Sequence, residues 1–267
     1  MIGNIINRVL KIVLALSLVI VVGCAEQSVS FTSEQVSASK VTESAKPTDN
    51  SSSNSINNPA NSQPKVSQSV NSPFPNLPRL NGSATVEMKL KYGTVTIEVD
   101  GIDAPITAGN FVDLVKRGVY NNLTFHRVIR EPSPFVAQGG DPLGNGTGSF
   151  IDPATSQPRL IPLEITKAYT PKEGFIPKPE YSNPLKPDDR VQLRHTRGAV
   201  AMARSQSPDS ASSQFYIALA DINFLDGSYA VFGYVTSGMD VVDKIKLGDR
   251  IESMTVTKGI ENLKTVR

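Results

Sequence analysis

Four short runs carry the side chains that could do chemistry. They are Phe125-His126-Arg127-Val128-Ile129, Gln138-Gly139-Gly140-Asp141, Ser213-Gln214-Phe215-Tyr216-Ile217, and Phe224-Leu225-Asp226-Gly227 followed by Val231-Phe232-Gly233. Together they supply an arginine, a pair of glutamines and several large apolar side chains. Arginine keeps its charge and presents several donors in a fixed fork, and a glutamine amide both donates and accepts. Such a set suits holding a peptide bond against an apolar pocket, a task that needs no proton transfer. Other chemistries lack their parts. The chain has 2 histidines, His126 and His195, and neither has a Cys or His at metal spacing, so no metal site and no cofactor are expected. A Ser-His-Asp site drawn around His126 has no nucleophile elbow. Gly144-Asn145-Gly146-Thr147-Gly148 lacks the lysine and the following helix of a phosphate loop and reads as a turn. Asp141 reads as structural.

These groups need a scaffold. Among 267 residues there are 27 basic and 25 acidic side chains, a net charge of +2. With no long basic stripe either, nucleic acid is not an expected partner. Nineteen prolines and nineteen glycines suit a loop-rich β fold. Val86, Met88 and Leu90, then Val95, Ile97 and Val99, alternate with polar residues on either side of Tyr92-Gly93, the pattern of a β-hairpin. Pro105 can open a helix whose apolar face is Ile106, Phe111, Leu114 and Val115, ending at Gly118. Short strands are predicted over 123–129, 135–138, 198–203, 214–219 and 230–234. A second helix follows over 239–247, and a closing strand over 251–260. In the strand 214–219, Gln214 and Tyr216 share one face and Phe215 points to the other, into the core. Between Asp141 and Arg197 lies a Pro-rich stretch with little period, a long insertion at about 142–196 of the kind that is often functional. Within it, Leu160 to Ile165 could pair as a strand. Many short strands with few helices indicate a closed antiparallel barrel.

The first 80 residues are of another kind. Arg8 and Lys11 precede an apolar run from Ile12 to Val22, then Gly23 and the only cysteine, Cys24. A basic start, a short apolar stretch and a small residue before the break describe an export signal, and the run is shorter than the ~20 residues of a membrane span. Val21-Val22-Gly23-Cys24 resembles the bacterial lipobox, which implies cleavage before Cys24 and its lipidation. An ordinary signal peptide with an incidental cysteine and an uncleaved anchor are the alternatives. Residues 25–80 are dominated by Ser, Asn, Gln, Thr and Pro without either apolar period, too little to offset chain entropy. They read as a disordered tether with a mean reach of roughly 40 Å. The expected arrangement is a signal and lipobox over 1–24, a tether over 25–80 and a folded domain over 81–267. The domain would sit outside the cytoplasm, held to a bacterial membrane as a lipoprotein.

The four runs, in this order, resemble the signature of the cyclophilin family of peptidyl-prolyl isomerases. The resemblance covers roughly Thr85 to Val266 apart from the insertion. It implies a closed eight-stranded antiparallel barrel capped by two helices, and partners that are X-Pro segments of unfolded or flexible polypeptides. Arg127 matches the arginine placed against the proline nitrogen, and Gln138 matches the glutamine that holds the substrate backbone; these are the catalytic pair. Phe135, Val136, Tyr216 and Leu225 match the proline pocket, with Gln214 further along the groove and Ala203, Arg204, Phe224 and Tyr229 around it. The chain departs from the family at several points. Arg130-Glu131-Pro132-Ser133-Pro134 lengthens the turn before the pocket phenylalanine. Phe224 stands where many members carry tryptophan, and Tyr229 where histidine is frequent. Met202-Ala203-Arg204 replaces an ending in asparagine and introduces a cation. A non-catalytic proline-peptide binding or chaperone module on the same fold is the alternative reading. The insertion as a partner-docking surface is a third.

Overall fold

Eight strands form one antiparallel sheet: β1 (Ser83–Leu90), β2 (Gly93–Asp100), β3 (Arg127–Val128), β4 (Val136–Gly139), β5 (Ala199–Met202), β6 (Phe215–Ala218), β7 (Val231–Ser237) and β8 (Ser253–Lys258). Their hydrogen-bonded order is β8-β1-β2-β7-β5-β6-β4-β3. The computed structural model describes residues 73–265, except 171, 173–174, 176 and 187–188. The export signal, Cys24 and the tether as far as 72 lie outside the described residues.

The hairpin forms as its alternation predicts. Val86 stands opposite Ile97, and Met88 opposite Val95. All four side chains are buried, because a period of two sends each matched pair to the same face. α1 (Pro105–Lys116) begins at its proline and ends at Arg117, just before Gly118. Its apolar stripe, led by Phe111, packs into the main core against Tyr120, Phe215 and Phe232 at ring separations of 5.2, 5.5 and 4.8 Å. Each such fully buried aromatic contributes about 1.5–3 kcal/mol. The helix was expected to bury one face only. It is buried from Pro105 to Val115, because the paired segments Arg79–Leu80 and Leu263–Lys264 and the polar contacts from the insertion cover its other side.

The barrel is not closed. The two edge strands, β8 and β3, do not pair with each other, so the sheet is a curled half-barrel. The segments that precede them are joined by the Thr124–Arg250 bridge and by four backbone hydrogen bonds of 2.7–2.9 Å between 122–125 and 248–251. The strand expected over 123–129 shrinks to Arg127–Val128. Residues 123–125 pair instead with 248–251, a stretch flanked by the left-handed residues Asn122 (φ 66°) and Gly248 (φ 84°). α2 (Met239–Val242) is also shorter than the predicted 239–247. Beyond it the amides of Lys244 and Ile245 donate to carbonyls only three residues back, 3.1 Å each. The Arg130 guanidinium covers the end of this turn by donating to the carbonyls of Val242 and Ile245, both at 3.1 Å.

Paired and packed residues also precede Asn81. Arg79–Leu80 pairs with Leu263–Lys264, Leu80 is fully buried and Phe74 packs edge-on against Tyr181 at 5.2 Å. A Cβ on Gly109 of α1 would fall 2.4 Å from the Arg79 backbone, so only glycine allows this close approach.

The insertion is organised by short ladders: Ile151–Asp152 with Gln157–Pro158, and Glu164–Ile165 with Glu180–Tyr181. Its buried charges tie it to α1. The Glu164 carboxylate accepts the amides of Ile106 (3.1 Å) and Thr107 (2.7 Å), two of the unpaired donors at a helix start. Burial pushes its pKa up, against the pull of those two amides. Arg159 donates to Asp113 at 2.6 Å and lies 4.7 Å over the Phe150 ring.

Candidate active site

The register of four strands assembles a row of side chains. Arg127 of β3 stands opposite Gln138 of β4, Gln138 opposite Tyr216 of β6, and Tyr216 opposite Ala201 of β5. Directly opposed residues share a face. Phe215, between Gln214 and Tyr216, points the other way and is buried in the main core. Strands β4, β5 and β6 carry buried side chains on both faces; the second face holds Val136, Ala199, Ala201, Tyr216, Ala218 and Val231.

This row opens into a pocket of about 150 Å³ lined by Arg127, Phe135, Val136, Gln138, Ala203, Arg204, Tyr216, Leu225 and Tyr229. Gln214 lines the neighbouring polar pocket together with Gln138. Phe224 stands outside, 75% exposed, stacked on Phe135 with ring centres 6.0 Å apart and planes 10° from parallel. Of the residues expected at the site, Cys24 alone lies outside the described residues.

A directed chain of hydrogen bonds aims the arginine. Gln214 Nε2 donates to the carbonyls of Gly146 (3.0 Å) and Gly148 (2.9 Å). Its Oε1 accepts from Gln138 Nε2 at 3.1 Å, and Gln138 Oε1 accepts from Arg127 Nη1 at 3.1 Å. That bond uses one of the five guanidinium donors, and the group also lies 5.6 Å from the centre of the Phe135 ring. The loop at the far end of the chain is itself held by Asp141. Its carboxylate accepts the amides of Leu143 (2.8 Å) and Asn145 (2.9 Å), and that of Gly146. Burial pushes this carboxyl up, but the three amides and nearby His126 together bring its pKa below the usual range. A Cβ on Gly148 would fall 2.0 Å from Asp141 Oδ1, so this loop closes around its carboxylate only with glycine there.

Arg204 plays a different part from a free cation in the groove. It donates to the carbonyl of Ser228 through Nε (3.0 Å) and Nη2 (2.7 Å), and through Nη1 to those of Ser205 (2.8 Å) and Gln206 (3.2 Å). It also covers the Tyr229 ring at 4.7 Å. It braces two loops at the pocket wall.

Behind the pocket lies a buried relay that the sequence reading did not assign. His195 is fully buried, with Nδ1 2.8 Å from Asp226 Oδ1 and Nε2 3.0 Å from the Tyr216 hydroxyl. A carboxylate only accepts, so Nδ1 carries the proton and Nε2 accepts from Tyr216. The chain therefore fixes the ring that floors the pocket. Its one sequence signal is a histidine left over after metal and nucleophile roles are declined. Burial lowers the His195 pKa from 6.5, outweighing the raising effect of Asp226. The unfolded ring then binds protons more readily, so the stability this group contributes is complete above about pH 6.5 and is lost as pH falls towards the folded value. Asp103, pushed up to about 6 by burial and by Asp100, acts in the opposite sense. His195→Gln is therefore expected to reduce the loss of stability between pH 6.5 and 5, read as the difference in urea midpoint from the unaltered chain, in which the Asp103 effect cancels. A midpoint difference independent of pH would reject the titrating role.

Residues 85–265 match the family model described as cyclophilin type peptidyl-prolyl cis-trans isomerase. The chain belongs to the cyclophilin family. This cyclophilin is 42% identical over 206 residues to a Synechocystis sp. protein described as a thylakoid lumen peptidyl-prolyl cis-trans isomerase, covering 71% of the chain and 51% of that protein. It is 41% identical over 208 residues to a chloroplastic peptidyl-prolyl cis-trans isomerase of Arabidopsis thaliana, covering 71% of the chain and 46% of that protein. The cyclophilin thus spans about half the length of these two relatives. Its fold is that of a cyclophilin type peptidyl-prolyl cis-trans isomerase of Cryptosporidium parvum, with a TM-score of 0.50 and 22% identity over 66% of this chain and 98% of that one.

Proposed function

We propose that this cyclophilin is a peptidyl-prolyl cis-trans isomerase that acts on X-Pro segments of exported polypeptides. The observation that carries the reading is Arg127, held by Gln138 at the mouth of a pocket walled by Phe135, Val136, Tyr216 and Leu225, with most of its donors uncommitted among the described residues. The peptide bond resists rotation by ~18–20 kcal/mol because nitrogen shares its lone pair with the carbonyl. In the twisted transition state that lone pair is freed and becomes an acceptor. A donor against the nitrogen then stabilises the transition state more than the planar ground state, which is the condition for catalysis. A thousandfold acceleration needs ~4 kcal/mol, and one charge-assisted hydrogen bond contributes ~1.5–3 kcal/mol. The remainder falls to the pocket of Phe135, Val136, Tyr216 and Leu225, which grips the proline ring away from water. Gln138 and Gln214 hold the flanking backbone, and Ala203, Arg204 and Tyr229 complete the wall.

The non-catalytic alternative rests on the lengthened 130–134 loop and on the cation at Arg204, and of these the guanidinium is engaged by backbone carbonyls. An extracytoplasmic place, with lipidated Cys24 as the membrane anchor, is supported by the basic and apolar leader before Cys24 and by the lumenal and chloroplastic descriptions of the two relatives. There, isomerisation that takes tens to hundreds of seconds uncatalysed would otherwise limit folding. The test is cis–trans exchange in a short X-Pro peptide, followed by NMR with the full chain in mild detergent. Acceleration is expected. Binding of the peptide with no acceleration would leave only the proline-recognition module.

A further inference from the structure

Beside the proline pocket, and sharing the Phe135 ring with it, lies a larger groove of about 520 Å³. Its walls are chiefly Ile129, Pro132, Pro134, Phe135, Ile222 and Phe224, and its volume is within the ~300–1,000 Å³ of ligand sites. The groove is built in advance. The amides of Ile129 and Phe135 donate to the carbonyls of Val136 (2.9 Å) and Ile129 (3.0 Å), closing the base of the lengthened 130–134 loop. Arg130 fastens that loop to the end of α2. On the other wall, the Leu219 amide donates to the Phe135 carbonyl (2.9 Å) and the Ile222 amide to that of His195 (2.8 Å). Preorganised walls spare the ordering cost of binding.

Two features say what the groove takes. Phe224 leaves 75% of its surface to solvent beside the site, although its ring is held parallel to Phe135. A large exposed apolar surface continuous with a binding pocket marks contact with a ligand. The carboxylate at the groove, Asp221, is engaged by the Arg197 amide at 2.8 Å. The opposite flank of the proline pocket is polar, lined by Gln138, Thr147, Ser205, Ser210, Ser212 and Gln214. A polypeptide crossing the proline pocket therefore meets a polar surface on one side and an apolar one on the other.

We infer that the groove is a substrate subsite for a large apolar or aromatic side chain adjacent to the proline, on the side away from Gln138 and Gln214. This rests on the proposed reading of the pocket and adds a sequence preference to it. The test compares three peptides with the full chain: an Ala-Pro-Ala parent, and versions with phenylalanine immediately before or immediately after the proline. One phenylalanine position is expected to tighten binding by about tenfold, and the other to leave it unchanged. Ala220→Trp and Ser133→Trp fill the groove from opposite walls. Each is expected to abolish the phenylalanine advantage while leaving binding and exchange of the parent peptide as they were. Equal affinity for the three peptides, or an advantage that survives both fillings, overturns the subsite alone. Failure to bind any of them overturns the proline-pocket reading and the subsite with it.

Discussion

Arg127→Ala is expected to slow catalysed X-Pro exchange by about 10- to 150-fold, the equivalent of the ~1.5–3 kcal/mol of a hydrogen bond from a charged donor. Peptide affinity should change little, because the proposed proline pocket is walled by Phe135, Val136, Tyr216 and Leu225. An interaction made only in the transition state lowers kcat and kcat/KM together. Arg127→Lys should fall between, since it keeps the charge and loses the planar fork that lets one donor rest on Gln138 Oε1 while others face the substrate. Folding should be undisturbed, because Arg127 is exposed on a two-residue edge strand. NMR exchange rates and a binding isotherm on the same peptide decide the matter. If affinity collapses in parallel with rate, Arg127 holds the ground state and its proposed role is wrong.

The largest effect on stability is expected at Asp113. Its Oδ2 accepts from Arg159 Nη1 at 2.6 Å and from the more exposed Arg117 Nε at 2.8 Å, and the Asp113 and Arg159 side chains are 3% and 6% exposed. The Arg159 Nε and Nη2 atoms are buried with no hydrogen-bond partner among the described residues, so Asp113 carries most of the compensation for that charge. Asp113→Ala should lower the unfolding free energy by ~3–5 kcal/mol, the usual result of stranding one member of a buried pair. Asp240→Ala, which breaks a pair with Lys244 that is 76% and 55% exposed, should cost under ~1 kcal/mol. The double change Asp113→Ala/Arg159→Met should recover part of the loss, because an apolar side chain needs no counter-ion. Urea midpoints measure all three. A loss at Asp113 as small as that at Asp240 would mean that Arg159 regains water by lifting the insertion off α1, and faster proteolysis within 151–165 would accompany it.

The insertion shows where local pattern stops being informative. Its strand pairs are two residues each, too short to carry a period. What holds it are apolar side chains that reach other parts of the chain, Phe150 and Ile161 in the main core and Leu163 and Ile165 against Ala230, and polar contacts to α1, between Glu164 and the helix amides and between Arg159 and Asp113. The polar contacts span 46 to 58 positions of sequence, and no spacing rule reaches so far. With the Arg79–Leu80 and Leu263–Lys264 segments they also explain why α1, which reads as an amphipathic helix, is buried on its polar side. The seam of the half-barrel is a similar case. Residues 123–129 have a strand's composition, but 123–125 pair across the seam with 248–251 while only Arg127–Val128 joins β4, a choice of neighbour that no local pattern encodes.

The site was legible to the extent that it is carried by runs. Phe-His-Arg, Gln-Gly-Gly-Asp and Ser-Gln-Phe-Tyr each lie on one strand or its continuation, and alternation alone separated Tyr216 and Gln214 from Phe215. The roles of Arg204 and His195 were not legible. A guanidinium near a groove reads as a free charge until its four bonds to the Ser228, Ser205 and Gln206 carbonyls are seen. A solitary histidine carries no signal of the carboxylate and hydroxyl on either side of it.

What the sequence determined by itself was therefore the set of groups and the faces they share. Side-chain type and the period of two are properties of a few consecutive residues. The tertiary structure alone decided which of those groups remain uncommitted. Among the described residues Arg127 commits one of its five donors and Arg204 four, because the fold brings the Ser228 carbonyl to Arg204 from 24 positions away and curls the Ser205 and Gln206 carbonyls back onto it, and a hydrogen bond depends on position within a few tenths of an ångström.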